Sequence, residues 1–356
     1  MATYSIEEAK ALLSELIHKA LAGEGVTITR DGKPVAELRP TMSATVRRPS
    51  PRLINEIAAR AKTRPRLGEN AVDIIRRMRD EPEEAILSAV TAASRAPMFS
   101  RYVGVDYSGA ETPTQSLPGI RVFVAEGDAA RPIEVAPPPG PGKYWSRRAL
   151  AEWLIEQLGG GVPTLVGLDH AFSFPLRYFD KYRLDRNWTS FLDDFQRHWP
   201  TDRDHTYVDF VREGDVGDGA ARQGNSKWRR LTEERAGGAK SVFHFDAPGS
   251  VAKATHAGLP WLRAIRQRLG EKVHFWPFDG WIIPEGRSAI VEVYPSLWSK
   301  RFPPEGRNSH QHDAYCVAAW MKQQDPSGRL GAFLNPDLSE LERSLAAVEG
   351  WILGVL

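Results

Sequence analysis

The feature that most constrains this chain is a short apolar run ending in a carboxylate, Tyr102-Val-Gly-Val-Asp-Tyr-Ser-Gly109. A buried strand of this pattern delivers an acid to the carboxyl edge of a sheet, where open α/β sheets keep their sites. The phrase recurs at Val166-Gly-Leu-Asp169. If the two strands pair in parallel, Asp106 and Asp169 stand side by side. Two further acids lie in apolar company, Glu292 within Val291-Glu-Val-Tyr294 and Asp313 within His312-Asp-Ala-Tyr315. Four such acids suggest a divalent-metal site.

The elements around these acids can be ordered. Arg101 to Asp106 reads as a first strand, Gly119 to Ala125 as a second and Pro132 to Val135 as a third. Short loops between them predict an antiparallel meander. Ser146 then caps a helix with Leu150, Trp153, Leu154, Ile155 and Leu158 apolar, and the strand that follows its crossover should run parallel. Three strands, a helix and a parallel strand open the ribonuclease H-like fold. The expected class is therefore α/β, a ribonuclease H-like mixed sheet with flanking helices over residues 98–356. Later elements are a helix from Gly258 to Leu269, strands at His274–Trp276 and Ala289–Val293, and a helix from His310 to Gln323 with Asp313 in its first turn. A helical insertion is expected at about 171–245. Its aromatics, Phe172, Phe174, Tyr178, Trp188 and Phe191 among them, should form the insertion's own core. The polar stretch 214–238 reads as a mobile loop, with Lys227, Arg229 and Arg230 as substrate-contact candidates.

Composition divides the chain before any motif does. Ahead of Phe99 the only aromatic residue is Tyr4, whereas all 11 Trp follow it. Ala96-Pro97-Met98 looks like the seam between two chains of different style. A net charge of +2 is too small to argue for nucleic acid by itself. The lone Cys316 excludes a disulfide framework or a thiolate zinc site and fits a reducing cytosol. No apolar run approaches the ~18 residues of a membrane span, so the expectation is a cytoplasmic protein with no membrane partner.

In the first part, Ser5-Ile6-Glu7-Glu8 is a capping box, and apolar residues from Ala9 to Leu21 recur at helical spacing. Val26–Thr29 and Pro34–Leu38 read as two strands around Asp31-Gly32, a hairpin dipeptide. A helix and a two-stranded ribbon bury too little to stand alone, so the unit should form a homodimer. Residues Ser5 to Lys10, Leu13 to Leu16 and Thr27 to Ala36 resemble the Phd/YefM family of antitoxins. That resemblance implies a symmetric DNA-binding and dimerisation domain over 1–45 that binds operator DNA, with Arg30, Lys33 and Lys10 near the DNA. Residues 46–97 form a basic, partly helical tail or linker broken by prolines. In the family the equivalent tail wraps a separate toxin. Here the chain continues, so residues 41–97 are expected to restrain the downstream domain, within one chain or across the dimer.

The second part resembles the DUF429 family, proposed nucleases of ribonuclease H-like fold. The resemblance rests on Gly104–Gly109, Gly167–Phe172, Phe245–Val251 with Gly258–Trp261, Val291–Pro295 and His312–Tyr315. It implies a two-metal phosphodiester hydrolase using Mg2+ or Mn2+ on DNA or RNA. Asp106 would bridge the metals, Asp169 and Asp313 would hold one each, and Glu292 would complete one sphere. His312 would protonate the leaving group or support a ligand. Each acid taken alone could equally cap a turn or helix. Two other classes stay open: an autoregulator whose large domain is an inert interaction module, and an actin-like-fold phosphotransferase reading phosphate through Asp106–Gly109.

Overall fold

The computed structural model describes residues 2–12, 15–16, 19–20, 25–30, 33–38, 96–127, 129–247 and 249–356. The chain divides into two compact units, 1–81 and 82–356. The expected hairpin dipeptide Asp31-Gly32 and the tail, up to residue 95, lie outside the described residues.

In the first unit Ala2–Ser5 is β1, Ile6–Ala11 is α1, Val26–Arg30 is β2 and Lys33–Leu38 is β3. Ser5 Oγ accepts from the Glu8 N–H at 3.2 Å and Glu8 Oε2 accepts from the Ser5 N–H at 2.8 Å, closing the predicted capping box. The expected two-stranded ribbon gains a third strand, because β1 pairs in parallel with β2 while β3 pairs antiparallel on its other side. Among the described residues Ala9, Leu16, Ala20 and Val26 are buried together, with Tyr4, Ile28 and Leu38 packed against them. β3 is exposed along nearly its whole length, Val35 at 55%. Lys10, Arg30 and Lys33 are exposed as well.

The second unit begins with β4 (Arg101–Asp106), β5 (Arg121–Glu126) and β6 (Ile133–Glu134), then α2 (Arg147–Gly159) and β7 (Thr164–Leu168). Four short helices follow: α3 (Leu176–Tyr182), α4 (Trp188–His198), α5 (Val208–Glu213) and α6 (Leu231–Arg235). Then come α7 (Ala252–Leu269), β8 (Val273–Phe275), β9 (Ser288–Glu292), α8 (Ser309–Gln324), α9 (Arg329–Leu334) and α10 (Glu340–Glu349). The six strands form one mixed sheet in the order β6-β5-β4-β7-β9-β8. β4, β5 and β6 make the expected antiparallel meander, and β7 lies parallel to β4. β9 and β8 extend the parallel half.

Strand alternation sends Val103, Val105, Val166 and Leu168 to one face, against Leu150 and Leu154 of α2 and Leu262 and Ile265 of α7. Tyr102, Leu165, Ala289 and Val291 face the other way, onto Ala314, Val317, Ala318 and Met321 of α8. The insertion is not a body with its own core. Phe172, Phe174, Tyr178, Phe179, Trp188, Phe191 and Phe195 are buried in the same cluster as the first sheet face. The reason is area: four short helices cannot enclose that many rings, and the sheet face beside them still needs cover.

Two glycines set the distance between α8 and the sheet. Gly104 and Gly167 are register partners on β4 and β7. A Cβ on Gly104 would stand 2.1 Å from the Ala314 carbonyl oxygen, and one on Gly167 would stand 2.7 Å from Val317 Cγ1. The seam is fixed as firmly. Asp325, just past α8, accepts from the N–H groups of Met98 and Phe99 at 3.0 Å each and from Tyr102 OH at 2.7 Å.

Gly104→Ala should therefore push α8 off the sheet and lower the unfolding free energy by about 3 kcal/mol, the upper end for overpacking. Urea denaturation followed by tryptophan fluorescence reads this directly; a midpoint equal to wild type would show that α8 does not depend on the glycine seat.

Candidate active site

β4 delivers Asp106 to the carboxyl edge, and β7 ends one residue before Asp169, whose N–H donates to the Val105 carbonyl at 3.1 Å. The two carboxylates thus come from neighbouring strand ends, as the repeated sequence phrase required. α8 supplies the rest. Asn308 caps it, its Oδ1 accepting from the Gln311 N–H at 2.9 Å while Gln311 Oε1 accepts from the Asn308 N–H at 3.1 Å. That cap places His310 in the first turn and Asp313 in the second, one turn later than expected. His310 and Asp313, three residues apart, share a helix face.

His310 Nδ1 lies 2.7 Å from Asp106 Oδ2. Asp106 is 7% exposed, and burial pushes its carboxyl up to about 6, with Asp313 adding to the rise and His310 opposing it. Asp169 is raised well above the usual carboxylate range by burial, then by the charges of Asp106, Asp313 and Glu292. Its Oδ1 is sealed from solvent and, among the described residues, has no hydrogen-bond partner. Asp313 is raised by burial, against the pull of His312 and His310. The hydrogen bond to Asp106 raises His310 in turn. Three carboxylates that resist ionising together, one with an orphaned oxygen, form an acidic cluster short of positive charge. Among the described residues no group of three or more His, Cys, Asp or Glu side chains is drawn together as a finished metal cage.

The other predicted residues lie elsewhere. His312 points to the Ser299 carbonyl, with Nε2 at 3.0 Å, and touches Cys316 Sγ at 3.5 Å. The imidazole beside Asp106 is His310, and helical spacing distinguishes the two: three residues from Asp313 keeps a side chain on its face, one does not. His170 is buried against the Ala171 carbonyl, and burial pushes it down to about 4.

Glu292 ends β9 and is buried, but its oxygens are committed. Oε1 accepts from Arg230 Nη2 at 2.5 Å, and Oε2 accepts from Arg230 Nη1 at 2.8 Å and from the Phe172 N–H at 3.1 Å. Arg230 also donates through Nε to Glu233 at 2.8 Å and through Nη1 to the Glu349 carbonyl at 3.1 Å. It is 1% exposed, so the expectation that it reaches substrate from a mobile loop fails. Burial alone would lower the pKa of Arg230; Glu292 and Glu233 more than reverse that. Arg229 is exposed overall, but its guanidinium donates to the Ala239 carbonyl at 2.7 Å. Lys227 is exposed.

One residue at the site gave no sequence signal. Arg147, at the start of α2, reads as a surface cation yet is wholly buried. Its Nη1 donates to the carbonyls of Ser108 at 3.2 Å and Ala110 at 2.5 Å, and its Nη2 to Glu111 at 2.8 Å. It fastens the loop that follows Asp106. Gly109 in that loop presses on α7, where a Cβ would stand 2.1 Å from the Lys253 carbonyl oxygen.

Arg230→Leu leaves Glu292 and Glu233 buried without a counter-charge and should cost ~3–5 kcal/mol near neutral pH. Burial already raises the Glu233 carboxyl against the pull of Arg230, and without that pull it holds its proton still more tightly in the folded state, so the deficit relative to wild type should shrink as pH falls. Chemical denaturation of both proteins across pH tests the sign; a deficit that grows on acidification would contradict it.

Compared with protein-family models, curated proteins and solved structures, the chain matches none.

Proposed function

We propose that residues 98–356 form a metal-dependent nuclease of ribonuclease H-like architecture, joined to an antitoxin-like module that binds operator DNA. The observation that carries the reading is Asp169 Oδ1, sealed and without a hydrogen-bond partner among the described residues, beside two further carboxylates raised by burial, Asp106 by the charge of Asp313 as well. A hard divalent cation is what such a set lacks. The meander of β4, β5 and β6 followed by a parallel β7 supports the same architecture.

Asp106, Asp169 and Asp313 would hold Mg2+ or Mn2+. When bound, the ion would supply an activated water and offset charge on a phosphodiester. His310 orients the Asp106 carboxylate and keeps a proton beside it. Arg147 holds the 108–111 backbone in place. Glu292, saturated by Arg230 and the Phe172 N–H, is left out of the ligand set and serves as a buttress between β9 and the insertion.

For the first unit the reading is a homodimer on operator DNA through Arg30, Lys33 and Lys10. The exposure of all three side chains supports it.

The deciding experiment is cleavage of labelled single- and double-stranded DNA and RNA by the full chain with Mg2+ or Mn2+. Asp106→Asn should reduce any metal-dependent cutting by ~100-fold or more, since losing even an outer partner of a metal ligand costs 10–100-fold. Absence of cutting on every substrate, with no Mn2+ uptake by calorimetry, would favour the inert interaction module.

Metal affinity should rise with pH. The Asp106 carboxyl, pushed up to about 6, is protonated below that value and competes with the ion. The same raised value means that metal-free protein loses stability as pH rises from the unfolded aspartate range through about 6, because the folded state binds the extra proton. Mn2+ calorimetry at pH 5 and 7.5 reads the first effect, and a pH-independent affinity would remove Asp106 from the ligand set.

In the first unit, Lys33→Ala should weaken binding to the chain's own operator alike across sequence variants and flatten the salt dependence by about 0.9 in slope. Electrophoretic mobility shifts at several salt concentrations would measure this.

A further inference from the structure

Against the loop that follows Asp106 the surface opens into a hollow of about 400 Å3. One wall is the loop Tyr107–Glu111, which leads directly from Asp106; the opposite wall is Tyr207, Val208 and Asp209 at the start of α5, with Lys253 of α7. A second hollow, of about 290 Å3, is lined by Arg212 on the next turn of α5 and by Phe245. α5 is the ridge between them, and it carries rings. Tyr207 and Phe210 stack at 4.7 Å with planes 16° apart, and Phe210 is 39% exposed. On the far side Arg212 lies over the Phe245 ring at 4.7 Å.

Tyr207 and Phe210 stand outside the buried aromatic core, whereas Phe245 packs on it through Trp199 and His256 and carries the Arg212 guanidinium over its ring. The Tyr207 hydroxyl is tied to Glu111. That bond joins the ridge to the loop after Asp106 and fixes the ring's attitude. Among the described residues lining the hollows the cations are Lys253 and Arg212, and each is held: Lys253 Nζ to Asp209 at 2.7 Å, and Arg212 to both oxygens of Asp246 at 3.1 Å. Such a surface has little to offer a duplex, whose affinity comes from many free cations on phosphates. It suits unpaired bases, whose faces stack on exposed rings whatever their identity, with two cations to trade a carboxylate for a phosphate. A duplex keeps those faces inside.

We propose that the α5 ridge and its two hollows are the path of a single-stranded nucleic acid whose scissile phosphate lies at Asp106, with Tyr207/Phe210 and Phe245/Arg212 as successive base platforms. This rests on the nuclease reading for what happens at Asp106, and it adds that the substrate is unpaired. The basic 227–230 stretch, singled out from the sequence for this role, is replaced by α5 and the start of α7.

The test is fluorescence anisotropy of the full chain in EDTA, so that nothing is cut, with labelled single-stranded DNA, single-stranded RNA and the matching duplex. Phe210→Ala should weaken binding of one or both single strands by tenfold or more and leave duplex binding, a property of the first unit, unchanged. Phe210→Trp should restore it, which a mere packing defect would not allow. With two cations on the path, the slope of log affinity against log salt for the single strand should be about −1.4. The DNA and RNA arms identify the sugar. Equal single-strand affinity in wild type and Phe210→Ala, or no single-strand binding by wild type, overturns the proposal. Failure of the nuclease reading looks different: Phe210-dependent binding in EDTA with no cutting when metal is added. Cutting of duplex alone, undiminished in Phe210→Ala, would instead keep the nuclease and sink the path.

Discussion

The second unit depends on one close approach, the seating of α8 on β4 and β7. A helix packed through ordinary side chains stands 8–10 Å from its neighbour. Gly104 and Gly167, side by side in the sheet, remove the intervening atoms, so that the α8 backbone at Ala314 and Ala318 rests on the strands themselves. The cost is two glycines in strand interiors, where they are normally unfavourable. The gain is one of position. The amino end of α8 reaches the carboxyl ends of β4 and β7, and His310 and Asp313 meet Asp106 and Asp169 there.

A buried acidic cluster of this kind is costly unless something opposes it, and the protein treats its acids in two ways. Glu292 and Glu233 are neutralised by Arg230, whose donors are shared among them and the Glu349 carbonyl. That network ties β9 to α6 and to the end of α10, and it makes the insertion an integral part of the unit. Asp106 is met by the His310 imidazole and, less strongly, by the charge of Arg121, Asp313 by the pull of His312 and His310, and Asp169 Oδ1 has no hydrogen-bond partner among the described residues. A finished ion-pair network thus lies next to an unfinished one, and the two meet at Asp169, which the charge of Glu292 helps to raise. Arg147 extends the same logic to the backbone, committing a buried guanidinium to three carbonyls so that the loop after Asp106 keeps its course.

The two units were built differently. In the first, among the described residues, a capping box and a few aliphatic residues hold α1 on a three-stranded sheet, with β3 exposed. In the second, rings fill both faces of a six-stranded sheet. The aromatic boundary at Phe99 matches that difference: the core next to a large sheet needs bulky side chains, while a small module that buries little does not.

How much of this was legible depended on locality. Alternation within Tyr102–Asp106 and Thr164–Leu168, the capping box at Ser5 and the helical period after Ser146 depend on neighbours a few residues away, and the strands and helices stand where those patterns put them. The pairing of Asp106 with Asp169 was legible too, because a strand after a helix crossover is forced parallel. Three things were not. Arg230 lies in a polar, basic stretch that reads as solvent-exposed, and only the distant Glu292 and Glu349 draw it inward. His310 and His312 differ in their helical spacing from Asp313, but which helix face meets Asp106 was decided by the seating of α8 on the sheet. Arg147 looked like any cation at a helix start, and its role exists only because the 108–111 carbonyls arrive there from another element. The sequence by itself determined the elements, the α/β class and three of the acids, since these come from local period and chain connectivity. Which side chains are sealed, paired or left wanting was decided by the tertiary structure, because burial and counter-charge come from residues far apart in the chain.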